Sequence, residues 1–158
     1  MGYVGIHKKG EFNLSDLLKS IKESPDFHRA GAIATFVGVV RGETLNGENV
    51  EELELEAYEE QANKVLGEIC EDLKKSEGVV DVEIHHFVGK FSVGEDLVYV
   101  VVSGAHRENV FGVLREAVER YKSEAPVYKK EYIVDETGTK EAYWVSEQEA
   151  QKKRRKNK

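Results

Sequence analysis

The chain has 158 residues, 40% of them hydrophobic, and a formal net charge of −7, the size and composition of one folded domain and not of a disordered chain. Six of its 23 basic residues fall in 152–158, so residues 1–151 carry a net −13 and the last seven +6, which argues against a broad nucleic-acid-binding face and leaves only the tail as a basic arm. The single cysteine, Cys70, excludes an internal disulfide framework or a thiolate cluster, and the absence of a bilayer-length apolar run or an apolar leader after Met1 makes the cytoplasm the expected compartment.

In chain order, Asn13 and Asp16 cap a helix running through Leu14, Leu17, Leu18 and Ile21 and stopping before Pro25. Gly31–Val40 is a buried strand rich in β-branched residues. A polar loop from Arg41 to Asn49, with Asn46-Gly47 at its centre, leads into Val50–Ala57. There Leu53, Leu55 and Ala57 alternate with Glu52, Glu54 and Glu56, the pattern of a half-exposed strand. Tyr58–Glu77 has helical periodicity (Ala62, Val65, Leu66, Ile69, Cys70, Leu73), and Gly78 is placed to cap its end. Strands are expected over Val79–Val88 and Leu97–Ser103, joined by a turn at Gly94, and a second helix over Glu108–Ser123. Pro126 breaks that helix, Val127–Val134 is another strand, and Tyr143–Val145 a short last one after a turn at Gly138. Alternating strands interspersed with helices define the fold class as α+β with antiparallel pairing. Residues 1–148 read as a single domain and 149–158 as a basic, disordered tail.

Common chemical motifs are missing. The sequence holds no phosphate-binding glycine loop, no H-E-x-x-H, no paired-cysteine zinc spacing and no G-x-S-x-G elbow. Cys70 lies on an apolar helix face and reads as a small buried hydrophobe. His7 and His28 are expected at the surface. His85 and His86 are adjacent on a strand, so one should face inward and one outward, as structural histidines and not metal ligands. What remains is a set of cations at the ends of regular elements: Arg41 after a strand, His106 and Arg107 between strand and helix, Lys122 at a helix end, and Lys129 and Lys130 early in a strand. Strand ends are where a rigid scaffold presents functional groups. Lys129 and Glu131 share one strand face and Lys130 points to the other. Each cation also has an ordinary explanation, as a helix-dipole partner or a solvated edge charge. Spacing alone supports an anion-binding pocket and goes no further.

The segments GAIATFVGVVRG (31–42), ELELEAYEEQA (52–62), HFVGKFSVGED (86–96), VVVSGAHR (100–107), AVERYKSEAPVYKKEY (117–132) and YWV (143–145) occur together. In this order and spacing they resemble the large, catalytic subunit of molybdopterin synthase, the MoaE family, over roughly residues 3–146. The resemblance implies an α/β-hammerhead-type domain with additional antiparallel strands and a place in molybdenum cofactor biosynthesis. It implies a sulfurtransferase that converts cyclic pyranopterin monophosphate to the molybdopterin dithiolene, with no resident cofactor and no metal site. The sulfur would come from the thiocarboxylate at the C-terminal Gly-Gly of a small ubiquitin-like partner. Two large subunits would form a homodimer within a heterotetramer, each pocket drawing residues from both. Matched position by position, the family's substrate-binding residues fall on Val39, Val40, Arg41, His106, Arg107, Lys122, Lys129, Lys130 and Glu131. Lys129 and Lys122 match the lysines tied to catalysis, and Phe36 an aromatic near the partner's tail. Two positions depart from the pattern: His86-Phe87-Val88-Gly89 stands where many relatives have H-R-x-G, and Tyr128 stands where tryptophan is frequent. The competing readings are a catalytically silent anion-binding or scaffold subunit of the same fold, and a nucleic-acid-associated protein using the tail.

Overall fold

The computed structural model describes residues 4–146. Seven strands and three main helices follow in the order β1 (Gly5–Lys8), α1 (Leu14–Lys22), β2 (Ala32–Val39), β3 (Asn49–Ala57), α2 (Glu59–Leu73), β4 (Val79–Ser92), β5 (Asp96–Gly104), α3 (Arg107–Glu124), β6 (Val127–Val134) and β7 (Lys140–Ser146). A short 3₁₀ helix, Pro25–Arg29, separates α1 from β2. The strands form one sheet in the order β2-β5-β4-β3-β6-β7, with β1 added beside β4. Every pairing is antiparallel except the parallel β1–β4 pair. This is the expected α+β architecture. The basic tail lies outside the described residues.

Local chemistry accounts for most element boundaries. The Asn13 side chain accepts from the Asp16 backbone N–H at 2.8 Å while Asp16 accepts from Asn13 N–H at 3.3 Å, a reciprocal box that satisfies the first donors of α1. Asn13→Ala is expected to cost about 1 kcal/mol, measurable as a lowered urea midpoint with unchanged slope. Helix α2 buries Ala62, Leu66, Ile69, Cys70 and Leu73 along one stripe, and α3 buries Val110, Ala117 and Tyr121. Val113 and Leu114 are only half-buried at the edge of that core.

Three expectations need correction, and one strand was missed. Helix α2 ends at Leu73, not Glu77; Gly78, at φ +74°, serves the turn into β4, where its carbonyl accepts from Ala105 N–H at 2.8 Å. Strand β1 was not apparent in the sequence, because four residues pairing across about eighty carry no local period. His7 is buried at 5% exposure, since β1 pairs with β4 and Phe12 packs edge-on over its ring at 4.9 Å. His85 and His86 are both buried. His85 meets His7, whereas His86 meets the Tyr121 ring of α3, so this part of β4 is covered on both faces and alternation no longer separates inside from outside.

Strand β4 joins the two halves of the sheet. Its residues 79–86 pair with β5 along one edge; along the other edge, 85–88 pair with β1 and 89–92 with β3, end to end. The changeover falls at Gly89, whose φ of +133° is closed to residues with a side chain.

Candidate active site

Strand β2 delivers the first group. Its last residue, Val39, is half-exposed, Val40 is buried, and Arg41 is exposed. The Val40 N–H donates to Glu95 O at 3.0 Å and its carbonyl accepts from Gly94 N–H at 2.9 Å, tying the base of Arg41 to the β4–β5 turn. Phe36 is half-buried in the middle of β2, opposite Val100, on the outermost strand of the sheet.

The β5–α3 turn delivers the second. Gly104 permits it, because a Cβ there would lie 2.8 Å from Gly78 O and 2.9 Å from Val110. His106 then occupies the N-cap of α3 in an extended conformation, its backbone N–H donating to Asn109 Oδ1 at 3.1 Å. Both His106 and Arg107 are exposed, and the Arg107 guanidinium lies 3.6 Å from Glu108. The Arg107 guanidinium at the N-terminus of an 18-residue helix favours an anion.

The far end of α3 delivers the third. Lys122 sits in its last turn, half-buried, with its ammonium 5.9 Å from the centre of the Tyr121 ring. Ala125 and Pro126 then turn the chain into β6, where Lys129 stands opposite Leu55 of β3. The Lys129 side chain is 15% exposed and lies 3.8 Å from Glu131. As the strand period predicts, Lys130 takes the other face, 5.4 Å from the Tyr132 ring and 5.6 Å from Trp144. An aromatic rim on this face was not singled out from the sequence: exposed Tyr58 packs edge-on against Tyr128 at 5.4 Å, beside half-exposed Trp144. The period-2 run Tyr128, Lys130, Tyr132 was its only signal.

Register shows which groups meet. Gly38 pairs with Val98, and Val98 with His86, against whose ring Tyr121 packs. Arg41, Lys122 and the entry to β6 therefore lie toward the same end of the β2–β5 pair. His106 and Arg107 do not join them. Ala32 pairs with Gly104 and Val39 with Asp96, so Arg41 and His106 flank opposite ends of these strands, about 25 Å apart at 3.4 Å per residue. Along α3, His106 and Lys122 are likewise separated by about 24 Å. The chain thus carries two separate groups of basic side chains, one toward each end of the β2–β5 pair. Among the described residues, no group of three or more His, Cys, Asp or Glu side chains could hold a metal ion.

The departure at position 87 has a structural reason. Phe87 is 3% exposed and packs against the rings of Phe12, Tyr99 and His7 at 5.1, 5.4 and 5.9 Å, an aromatic setting that a phenylalanine fills without burying a charge.

Fold and site together define an α+β protein that presents cations at both ends of its sheet and long helix, an arrangement for holding anionic groups. A family model described as MoaE protein matches residues 7–124. The chain is 33% identical to the molybdopterin synthase catalytic subunit of Thermoplasma volcanium over 87% of its own length and 96% of that protein's. It is 38% identical to a protein of Haloferax volcanii named for molybdopterin synthase, over 84% of its own length but only 49% of that longer chain. In fold it matches the crystal structure of molybdopterin synthase from Staphylococcus aureus with a TM-score of 0.76 and 28% identity, covering 92% of this chain and 98% of that one. It also matches a complex of subunits 1 and 2 of the molybdopterin-converting factor from Helicobacter pylori, with a TM-score of 0.66, 26% identity and 86% coverage of each chain. The chain belongs to the MoaE family.

Proposed function

We infer that this chain is the catalytic subunit of a molybdopterin synthase, a sulfur-transferring enzyme of molybdenum cofactor biosynthesis that works with a small partner subunit. Its substrate would be cyclic pyranopterin monophosphate, and its sulfur donor the C-terminal thiocarboxylate of a ubiquitin-like carrier entering past Phe36. The observation that carries this reading is the division of the cations: Arg41, Lys122 and Lys129 toward one end, His106 and Arg107 about 24 Å away along α3. A second copy would bring its own His106 and Arg107 to complete each pocket, which makes the homodimer part of the chemistry.

Two anions must then share one pocket, the cyclic phosphate and the thiocarboxylate. His106 and Arg107 at the helix N-terminus would hold the phosphate, with a planar guanidinium suited to its oxygens. Val39, Val40 and Arg41 would line the pterin, and Lys130 and Glu131 would flank it. Lys129, half-buried and steered by Glu131 at 3.8 Å, would serve as acid/base or transient covalent group at the pterin, supported by Lys122. No nucleophilic cysteine is required, because the carrier brings the sulfur; Cys70 is buried and its thiol pushed up to about 12 by that burial. Residues 1–148 would form the catalytic domain, acting in the cytoplasm.

The test is reconstitution. Purified chain, cyclic pyranopterin monophosphate and thiocarboxylated carrier are expected to yield the dithiolene, with two carriers consumed per product. Carrier binding without any dithiolene would replace this reading by that of a silent scaffold.

A further inference from the structure

Beneath β1, away from the cationic site, four titratable side chains form a line. His7 Nδ1 lies 3.3 Å from Glu11 Oε2, His7 Nε2 lies 2.8 Å from His85 Nδ1, and His85 Nε2 lies 2.8 Å from Glu83 Oε1. Both imidazoles are buried, at 5% and 0% exposure. The rings of Phe12, Phe87 and Tyr99 close around them and around one another.

We propose that His7 and His85 hold one proton in common, forming a buried monocation clamped between the carboxylates of Glu11 and Glu83, and that this proton locks β1 onto β4 within a limited range of pH.

The argument is a count of hydrogens. An ionised carboxylate only accepts. Glu83 therefore needs a hydrogen on His85 Nε2, and Glu11 needs one on His7 Nδ1. The gap between the rings needs a third. Two neutral imidazoles own two N–H groups, one too few. Two imidazolium ions own four, and two N–H groups would then face each other across 2.8 Å with no acceptor between them. Three hydrogens, and so one positive charge, fill every gap.

Both carboxylates are suited to stay ionised. The Lys8 backbone N–H, donating to Glu11 Oε1 at 3.0 Å, leads the effects that hold Glu11 below the ordinary carboxylate range. Burial would raise Glu83, yet hydrogen bonds from His85 and Asp81 bring it below that range too. Asp81 takes the opposite course, pushed up to about 6 by burial and by Glu83. Among the described residues, Lys74 of α2, 3.2 Å from Asp81, and Asp96 of β5, which accepts from Tyr99 Oη at 2.5 Å, also face this line.

The sign of the pH effect follows from the proton balance. In the unfolded chain each imidazole titrates near ~6.5. Above that, the folded pair keeps one proton the unfolded chain has released, and its contribution fades as pH rises. Below it, the unfolded chain binds two protons and the folded pair one, so the contribution fades as pH falls. The lock is strongest near neutrality.

The experiment is a long-range imidazole ¹H–¹⁵N spectrum of the labelled full chain at pH 8, where a free imidazole is neutral. Three protonated nitrogens are expected across His7 and His85. Glu11→Gln alters an exposed side chain and leaves the core in place. Its amide can donate to His7 Nδ1 and replace the proton, so the variant is expected to show two protonated nitrogens at the same pH. Two in the wild-type chain, or three retained in Glu11→Gln, would overturn the proposal, and neither reading depends on enzymatic activity.

Discussion

Lys129→Ala is expected to lower dithiolene formation by at least ~10²-fold, the lower range for loss of a positioned acid/base group, with carrier and pterin supplied in excess. The side chain is 15% exposed and lies 3.8 Å from Glu131, so under the proposed mechanism its removal would take away a proton carrier already held in place. Lys129→Arg separates charge from chemistry: it keeps the cation but transfers no proton near neutrality, and should remain close to the alanine variant. Full activity in either would remove Lys129 from the mechanism. The same variant tests the shared pocket. If each pocket of a homodimer draws on both chains, Lys129→Ala and His106→Ala homodimers should each be impaired, yet a mixed dimer would carry one pocket with both residues intact. Random re-pairing of equal amounts should restore about a quarter of the wild-type pockets if the dimer is a closed two-fold. No restoration after verified subunit exchange would place His106 and Lys129 in one chain's pocket, against the distances along α3.

Leu55→Ala should be the most damaging of the substitutions near the site to stability, costing about 3 kcal/mol within the usual range for a buried leucine. Leu55 is 1% exposed, stands opposite Lys129 on β6 and Gly89 on β4, and so lies in the middle of the half-sheet that carries the lysine. A loss of that size is a large part of the 5–15 kcal/mol available to a typical domain. It should appear as a lowered urea midpoint at constant slope. Glu56→Ala, one residue on and exposed, is the control and should stay within about 0.5 kcal/mol. Equal effects at both positions would contradict the assignment of Leu55 to the core.

The sequence yielded what local patterns encode. The cap at Asn13, the strand Val127–Val134 bounded by Pro126, and the opposite facing of Lys129 and Lys130 were all readable, because each depends on neighbours within a few residues. His7 was not. Its burial comes from a partner 78 residues away, and nothing beside it in the chain announces that contact. Gly78 misled for a related reason: a glycine suits a helix cap and a turn into a strand equally well, and only the approach of Ala105 decides between them. For the site, spacing alone reached cations at element ends. The residue roles came from the family resemblance, while the separation of His106 from Lys122 along one rigid helix became visible only in three dimensions.

The change of partner along β4 has a mechanical side. Strands β3, β6 and β7 form one leaf and β2 and β5 the other, and β4 is the joint on which both hang. Arg41 belongs to one leaf and Lys129 to the other. Arg41 therefore follows a leaf held along residues 79–86 of β4 and Lys129 stands on a leaf held along 89–92, and the loop after Arg41 is tied back to β3 by the Val50 N–H donating to Gly42 O at 2.9 Å, so both strand pairing and this loop hold the two cations in a fixed relation.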